Sequence, residues 1–142
     1  MKILFMCVAN SARSQLAEGL ARKTFGTSAE IQSAGSQPTK VNPIAIKAMQ
    51  EIGLDITKHT SKTYEQLPTL FTSDLNYIIT LCAEEVCPIV ISKTAKKLHW
   101  PFQDPARKDL SEEEQLKLFR EARDGIQKKI EAFAKDLNGG KS

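Results

Sequence analysis

Lys2-Ile3-Leu4-Phe5-Met6-Cys7-Val8-Ala9-Asn10-Ser11-Ala12-Arg13-Ser14 opens the chain, and its reading decides the fold. Lys2 to Val8 is a continuous apolar run, as a central strand buried on both faces requires. From Ser14 to about Phe25 the period changes. Leu16, Ala17, Leu20, Ala21 and Thr24 recur at helical spacing. Between strand and helix stands Cys-x5-Arg-Ser, from Cys7 to Ser14. A tight loop leading into a helix aims several backbone N–H groups at one point, and the helix dipole adds positive charge there. A tetrahedral oxyanion fits that cradle, so Val8, Ala9, Asn10, Ser11, Ala12, Arg13 and Ser14 are the expected binding residues. Arg13 can grip two oxygens at once. The same field favours the thiolate of Cys7, which makes it the expected nucleophile. The Ser14 hydroxyl is placed to donate to that sulfur.

Outward from this stretch, strand and helix signals alternate. Ala29–Ala34 reads as a second strand that stops at Gly35. Asn42 is an N-cap, and Pro43 suits the first helical turn. That helix continues through Ala45, Ala48, Met49 and Ile52 and stops at Gly53. Asn76–Leu81 is a third buried strand, and Lys96–Trp100 a weaker fourth. Ser111 with Glu114 forms a capping box. The last helix then carries Phe119, Ala122, Ile126, Ile130, Phe133 and Leu137 as a stripe that packs on the sheet, before a frayed Gly139-Gly140-Lys141-Ser142 tail. The pattern predicts one α/β domain over residues 1–142: a three-layer sandwich with a four-stranded parallel sheet flanked by helices. Its site should lie at the carboxyl ends of the strands.

The composition agrees with a globular domain. The chain has 142 residues, 41% hydrophobic and 26% charged, with a formal net charge of +3. The basic residues are scattered among acidic ones, which argues against nucleic acid. The apolar start is too short to span a bilayer and lacks a cleavage-site tail, so no membrane is expected. With no secretion signal, Cys7, Cys82 and Cys87 are expected in a reducing, cytoplasmic compartment. Cys82 directly follows the third strand and should emerge on the same sheet edge as Cys7. Four compact ligands are not evident, so no metal and no cofactor are expected. Cysteine behaviour alone reads Cys82 and Cys87 as two small buried hydrophobes.

Cys7 through Gly19 resembles the phosphate loop and first helix of low-molecular-weight tyrosine phosphatases and of the arsenate reductases that share their fold. The resemblance continues at Ser33-Ala34-Gly35, Val41-Asn42-Pro43, His59-Thr60-Ser61, Thr80-Leu81-Cys82 and His99-Trp100 to Asp104-Pro105. The Ser-Gln-Leu-Ala-Glu-Gly run and the later cysteine pair are closer to the thioredoxin-coupled reductases. The resemblance implies a redox relay. Cys7 attacks arsenate, Cys82 attacks Cys7, and Cys87 attacks Cys82 and carries the disulfide outward to a transient thioredoxin partner. It makes Asp104 the general acid, and a monomer is expected. A phosphomonoesterase would use Cys7, Arg13 and Asp104 only, and an oxyanion sensor would use none of them catalytically. Phosphatases of this fold usually carry a second cysteine in the loop, where Ala12 stands here, and an aromatic rim.

Three further expectations follow. Residues five apart on a helix have Cα atoms roughly 8–9 Å apart, and a disulfide needs less than about 7 Å. Cys82–Cys87 is therefore predicted to be a loop, or a helix that unwinds on oxidation. Some reductases of this type hold potassium through residues matching Asn10, Glu18 and Ser33 and an aspartate whose position is Lys62 here; a lysine ammonium there should pair with Glu18 in the ion's place. His59 and His99 are assigned no catalytic role, and Trp100 and Phe102 are expected to pack the acid loop.

Overall fold

The computed structural model describes residues 1–83 and 87–139. In chain order the elements are β1 (Lys2–Cys7), α1 (Arg13–Phe25), β2 (Glu30–Gly35), α2 (Pro43–Gln50), α3 (Thr69–Thr72), β3 (Tyr77–Thr80), β4 (Lys96–His99) and α4 (Glu112–Gly139), with single 3₁₀ turns at Gly26–Ser28 and Tyr64–Gln66. The sheet runs in the order β2-β1-β3-β4, and every neighbouring pair is parallel.

β1 is an interior strand, and its apolar run serves both faces. Ile3 and Phe5 point into a core shared with Leu16, Leu20, Met49, Phe119, Ile126 and Ile130 of the helices. Leu4 and Met6 point the other way, onto Leu67, Phe71, Leu75 and Val90. This is the period-two alternation of a strand, applied where both faces are covered. Fully burying each such side chain is worth roughly 1.5–3 kcal/mol. One outer layer is α1, α2 and α4. The other is thin: the four-residue α3 and the irregular segments around it. The three-layer parallel sandwich predicted above is therefore present.

The helix boundaries show where local chemistry refines the pattern. The Asn42 side chain accepts the Ile44 N–H at 2.8 Å and caps α2. That helix ends at Gln50, short of Ile52, because Ile52 and Gly53 tighten onto Met49 and Gln50 by i→i+3 bonds. Gly53 then takes φ +78°, a conformation that costs glycine little. At α4 the Ser111 hydroxyl accepts the Glu114 N–H and donates to the Glu114 carboxylate, so only half of a capping box forms. α4 runs as far as Gly139, where the tail was expected to begin; residues 140–142 lie outside the described residues. Its stripe packs mainly on α1 and α2 rather than on the sheet. Phe133 reaches the sheet edge, edge-on to Tyr77 at 4.9 Å and to Trp100 at 5.7 Å.

α2 and α4 are also clamped by charge. Arg120 and Arg123 both bond the Glu51 carboxylate, and Arg123 also donates to the Ala48 carbonyl at 2.7 Å. The Arg120 hydrogen bonds, aided by those of Arg123, lower the Glu51 pKa to about 2. A depressed carboxyl pKa stabilises the fold above the ordinary range near 4.5, and that stability is lost as pH falls towards 2. Glu51→Gln should therefore lower the melting temperature at pH 7 and shrink its fall between pH 5 and pH 2. Thermal denaturation across that range measures both, and an unchanged acid slope would contradict the clamp.

Candidate functional site

All four strands end on one edge, and the loops leaving three of them meet there. In register, Cys7 faces Gly35 on β2, while Met6 faces Thr80, which in turn faces His99. The next residues on β1, β3 and β4 start the Val8–Ala12 loop, the approach to Cys82, and the approach to Asp104.

The loop is pinned from outside. The carbonyls of Val8, Ala9 and Ser11 accept the N–H groups of Gln37, Thr39 and Asn42 at 2.9, 3.2 and 3.0 Å. The Asn10 carbonyl accepts from the Ser61 hydroxyl at 2.6 Å and from Gln15 Nε2 at 3.1 Å. Gly35 lies against the loop so closely that a Cβ there would fall 2.8 Å from the Cys7 carbonyl and overlap that of Val8. Only glycine permits that approach, so Gly35 shapes the loop as well as ending β2.

Cys7 is a buried free thiol, and its sulfur lies 2.8 Å from Ser14 Oγ. The direction of that bond is set by Asn10, which is fully buried and holds φ +48°. Asn10 Oδ1 accepts the Lys62 N–H at 3.0 Å, so the amide nitrogen faces the two hydroxyls, Ser14 Oγ at 2.8 Å and Ser33 Oγ at 3.0 Å. Ser14 thus receives one hydrogen and has its own to donate to the sulfur. Ser33 passes its hydrogen to Glu18 Oε1 at 2.6 Å.

Glu18 is buried and faces three basic groups. Arg22 Nη2 lies 3.2 Å from Oε2, His59 Nδ1 3.3 Å from Oε2, and Lys62 Nζ 3.9 Å from Oε1. Gln15 donates its amide hydrogens to the Asn10 and Thr60 carbonyls, so its Oε1 is an acceptor for His59 Nδ1 at 3.1 Å. The proton of neutral His59 therefore sits on Nδ1. Burial pushes the pKa of His59 below its ordinary value, against the pull of Glu18, and burial also lowers that of Lys62. His59 thus contacts both Glu18 and Gln15.

Arg13 is 4% exposed and braces the site. Its Nη1 donates to the Phe102 carbonyl at 2.8 Å and to the Leu81 carbonyl at 3.4 Å, while Nη2 stands 4.0 Å from Asp104 Oδ2. One guanidinium therefore touches the strand end before Cys82 and the loop that carries Asp104. The Asp104 side chain is half exposed, and its Oδ1 accepts the Ala106 N–H across Pro105 at 3.0 Å. Trp100 and Phe102 anchor the chain ahead of this loop to β1 and α4: Trp100 on Phe5 and Phe133, Phe102 against Gly125.

A cleft of about 270 Å³ opens on Cys7. It is lined by Cys7, Ala9, Ser11, Ala12, Arg13, Thr39, Asn42, Asp104, Ala106 and Lys108. Thr39, Asn42, Ala106 and Lys108 were not foreseen as lining; Asn42 carried only a capping signal, and Thr39 and Lys108 only those of surface residues. Val8, Asn10 and Ser14 stand behind this lining. Cys82 is buried, Cys87 is half-buried, and the two form a disulfide with Cα atoms 5.5 Å apart. Neither is helical, which agrees with the distance argument; residues 84–86 between them lie outside the described residues. Among the described residues no group of three or more His, Cys, Asp or Glu side chains is arranged to hold a metal.

The family profile described as low molecular weight phosphotyrosine protein phosphatase matches residues 2–142, and the chain belongs to that family. Within it, the chain is 45% identical over 134 residues to a protein of Halalkalibacterium halodurans named arsenate reductase, across 93% of this chain and 94% of that one. A solved arsenate reductase in the phosphate binding state superposes with a TM-score of 0.75 at 28% identity, covering 93% of this chain and 95% of that one. The thioredoxin-dependent arsenate reductase of Corynebacterium glutamicum matches with a TM-score of 0.60 at 27% identity, covering 92% of this chain and 62% of that one.

The residues around Glu18 do not fit a potassium ion. Lys62 and Arg22 already bring two positive groups to its carboxylate, and a further cation would face both. Replacing sodium by potassium at constant ionic strength should leave turnover unchanged within about two-fold. A several-fold rise in steady-state rate would contradict this.

Proposed function

We propose that this chain reduces arsenate to arsenite through a three-cysteine relay, with Cys7 as nucleophile. The observation that carries the reading is the pair formed by the second and third cysteines. Cys82 follows Leu81, whose N–H bonds the Met6 carbonyl at 2.9 Å beside Cys7, and Cys82 is already joined to Cys87. Ester hydrolysis has no use for such a pair. The names of the relatives support the same reading.

In this reading the loop N–H groups and Arg13 hold the oxyanion, as a cradle of peptide dipoles and a bidentate guanidinium do. The Cys7 thiolate, stabilised by the Ser14 hydroxyl, attacks arsenic. Asp104 gives a proton to the departing oxygen, which leaves as water. Cys82 then attacks the Cys7 sulfur as a thiolate. A Cys7–Cys82 disulfide forms, the S–As bond breaks, and its electron pair stays on arsenic, which leaves as arsenite. Cys87 attacks Cys82, restoring the Cys7 thiolate and leaving the Cys82–Cys87 disulfide. A dithiol protein of the thioredoxin type reduces that disulfide by the same exchange chemistry. The cycle belongs to a reducing compartment, and we place it in the cytoplasm with the enzyme as a monomer. No helix among the described residues is long and apolar enough to cross a membrane.

A phosphomonoesterase would share Cys7, Arg13 and Asp104, and the family profile carries that name. Among the described residues, the cleft lining has no aromatic side chain to stack a phenyl ring. Wild type, Cys7→Ser and Cys82→Ser, each assayed for thioredoxin-dependent arsenate reduction and for p-nitrophenyl phosphate hydrolysis, separate the readings. Cys82→Ser should lose arsenate turnover by roughly 10³-fold or more and keep any ester hydrolysis, whereas Cys7→Ser should lose both. Undiminished arsenate turnover by Cys82→Ser would overturn the relay.

A further inference from the structure

Two large apolar side chains stand in water close to the disulfide. Ile89 is 87% exposed and Ile91 90%, while Val90 between them is 8% exposed and packs with Met6 and Ile78. The buried valine fixes the segment, and strand-like alternation turns both isoleucines outward. They form a ridge: Ile89 lines two neighbouring grooves, and Ile91 lines the larger of them. One, of about 420 Å³, runs along Gly35, Tyr64 and Glu65. The other, of about 260 Å³, runs along Thr80, Leu98 and His99. Monomers expose single apolar residues freely, but two on one ridge beside the half-buried Cys87 mark a contact surface.

From this geometry we infer that Ile89 and Ile91 are the docking ridge for the dithiol protein that reduces the Cys82–Cys87 disulfide. The inference rests on the relay proposed above. Reduction passes through a mixed disulfide, and Cys87 is the more exposed cysteine of the pair, so a partner that bonds it must cover whatever surrounds it. Chain length puts the Cα of Ile89 within about 7 Å of Cys87 and that of Ile91 within about 14 Å. A transient redox contact buries up to about 600 Å² on each side, a disc of roughly 14 Å radius. Any such footprint centred on Cys87 reaches the ridge. The partner is accordingly a small dithiol protein of the thioredoxin type whose nucleophilic cysteine is ringed by apolar side chains. A small-molecule dithiol needs no such surface.

The test follows reduction of the disulfide in the oxidised protein by thiol titration, without arsenate, using thioredoxin or dithiothreitol. The Ile89→Asp/Ile91→Asp double variant is compared with wild type and with Leu70→Asp, which alters another exposed side chain, 84% accessible and on α3. The double variant should be reduced by thioredoxin about ten-fold or more slowly, with the dithiothreitol rate unchanged and Leu70→Asp like wild type. Wild-type speed with thioredoxin would overturn the docking ridge. So would equal slowing with both reductants, which would mean that the disulfide itself had changed. Because arsenate is absent, this failure is distinct from failure of the arsenate reading, which Cys82→Ser decides.

Discussion

The Asn10 amide spends its hydrogens on Ser14 and Ser33, while its oxygen takes the N–H of Lys62. Three parts of the chain distant in sequence therefore meet on one buried side chain: the nucleophile loop, β2 and the Lys62 segment. Its orientation makes Ser14 a donor to Cys7 rather than an acceptor, and a donor stabilises a thiolate where an acceptor would oppose it. A buried amide left half satisfied would cost about 1–3 kcal/mol, so the arrangement is held by the fold as much as it serves the site. The left-handed backbone of Asn10 belongs to the same constraint, since asparagine tolerates that conformation better than most residues.

Arg13 does for the far side of the cleft what Asn10 does for the near side. Its bonds to the Leu81 and Phe102 carbonyls tie the phosphate-type loop to the strand end before Cys82 and to the loop before Asp104. Cys7, Cys82 and Asp104 are thus referenced to one guanidinium. Lysine, with a single ammonium, would not span the same three points. The relay extends this economy: the disulfide first formed at buried Cys7 and Cys82 ends between Cys82 and Cys87, nearer to water.

The sheet and the loop were legible because their signals are local. The apolar run of β1, the change of period at Ser14 and the Cys-x5-Arg-Ser spacing all lie within one short stretch. The four strands lie where they were read, their ends shifted by a residue, and the Asn42 cap and the Lys62–Glu18 pairing are present. What escaped notice depends on tertiary contact. α3 is a four-residue helix with only Phe71 buried, too short for any period to show. Gly35 looked like a strand stop because nothing in the sequence reveals the carbonyls packed against it. Lys108 and Thr39 reach the cleft only because the acid loop and the segment after β2 fold over Cys7. The α4 stripe announced burial but not its partner, and α1 and α2 proved to be that partner.

The most direct test of the relay is one turnover of Cys87→Ser with a single equivalent of arsenate and no external reductant, read by disulfide mapping and arsenite assay. The account predicts a Cys7–Cys82 disulfide and one arsenite released per protein. Unchanged arsenate with both thiols free would contradict it, as would arsenite formed without a bond between Cys7 and Cys82.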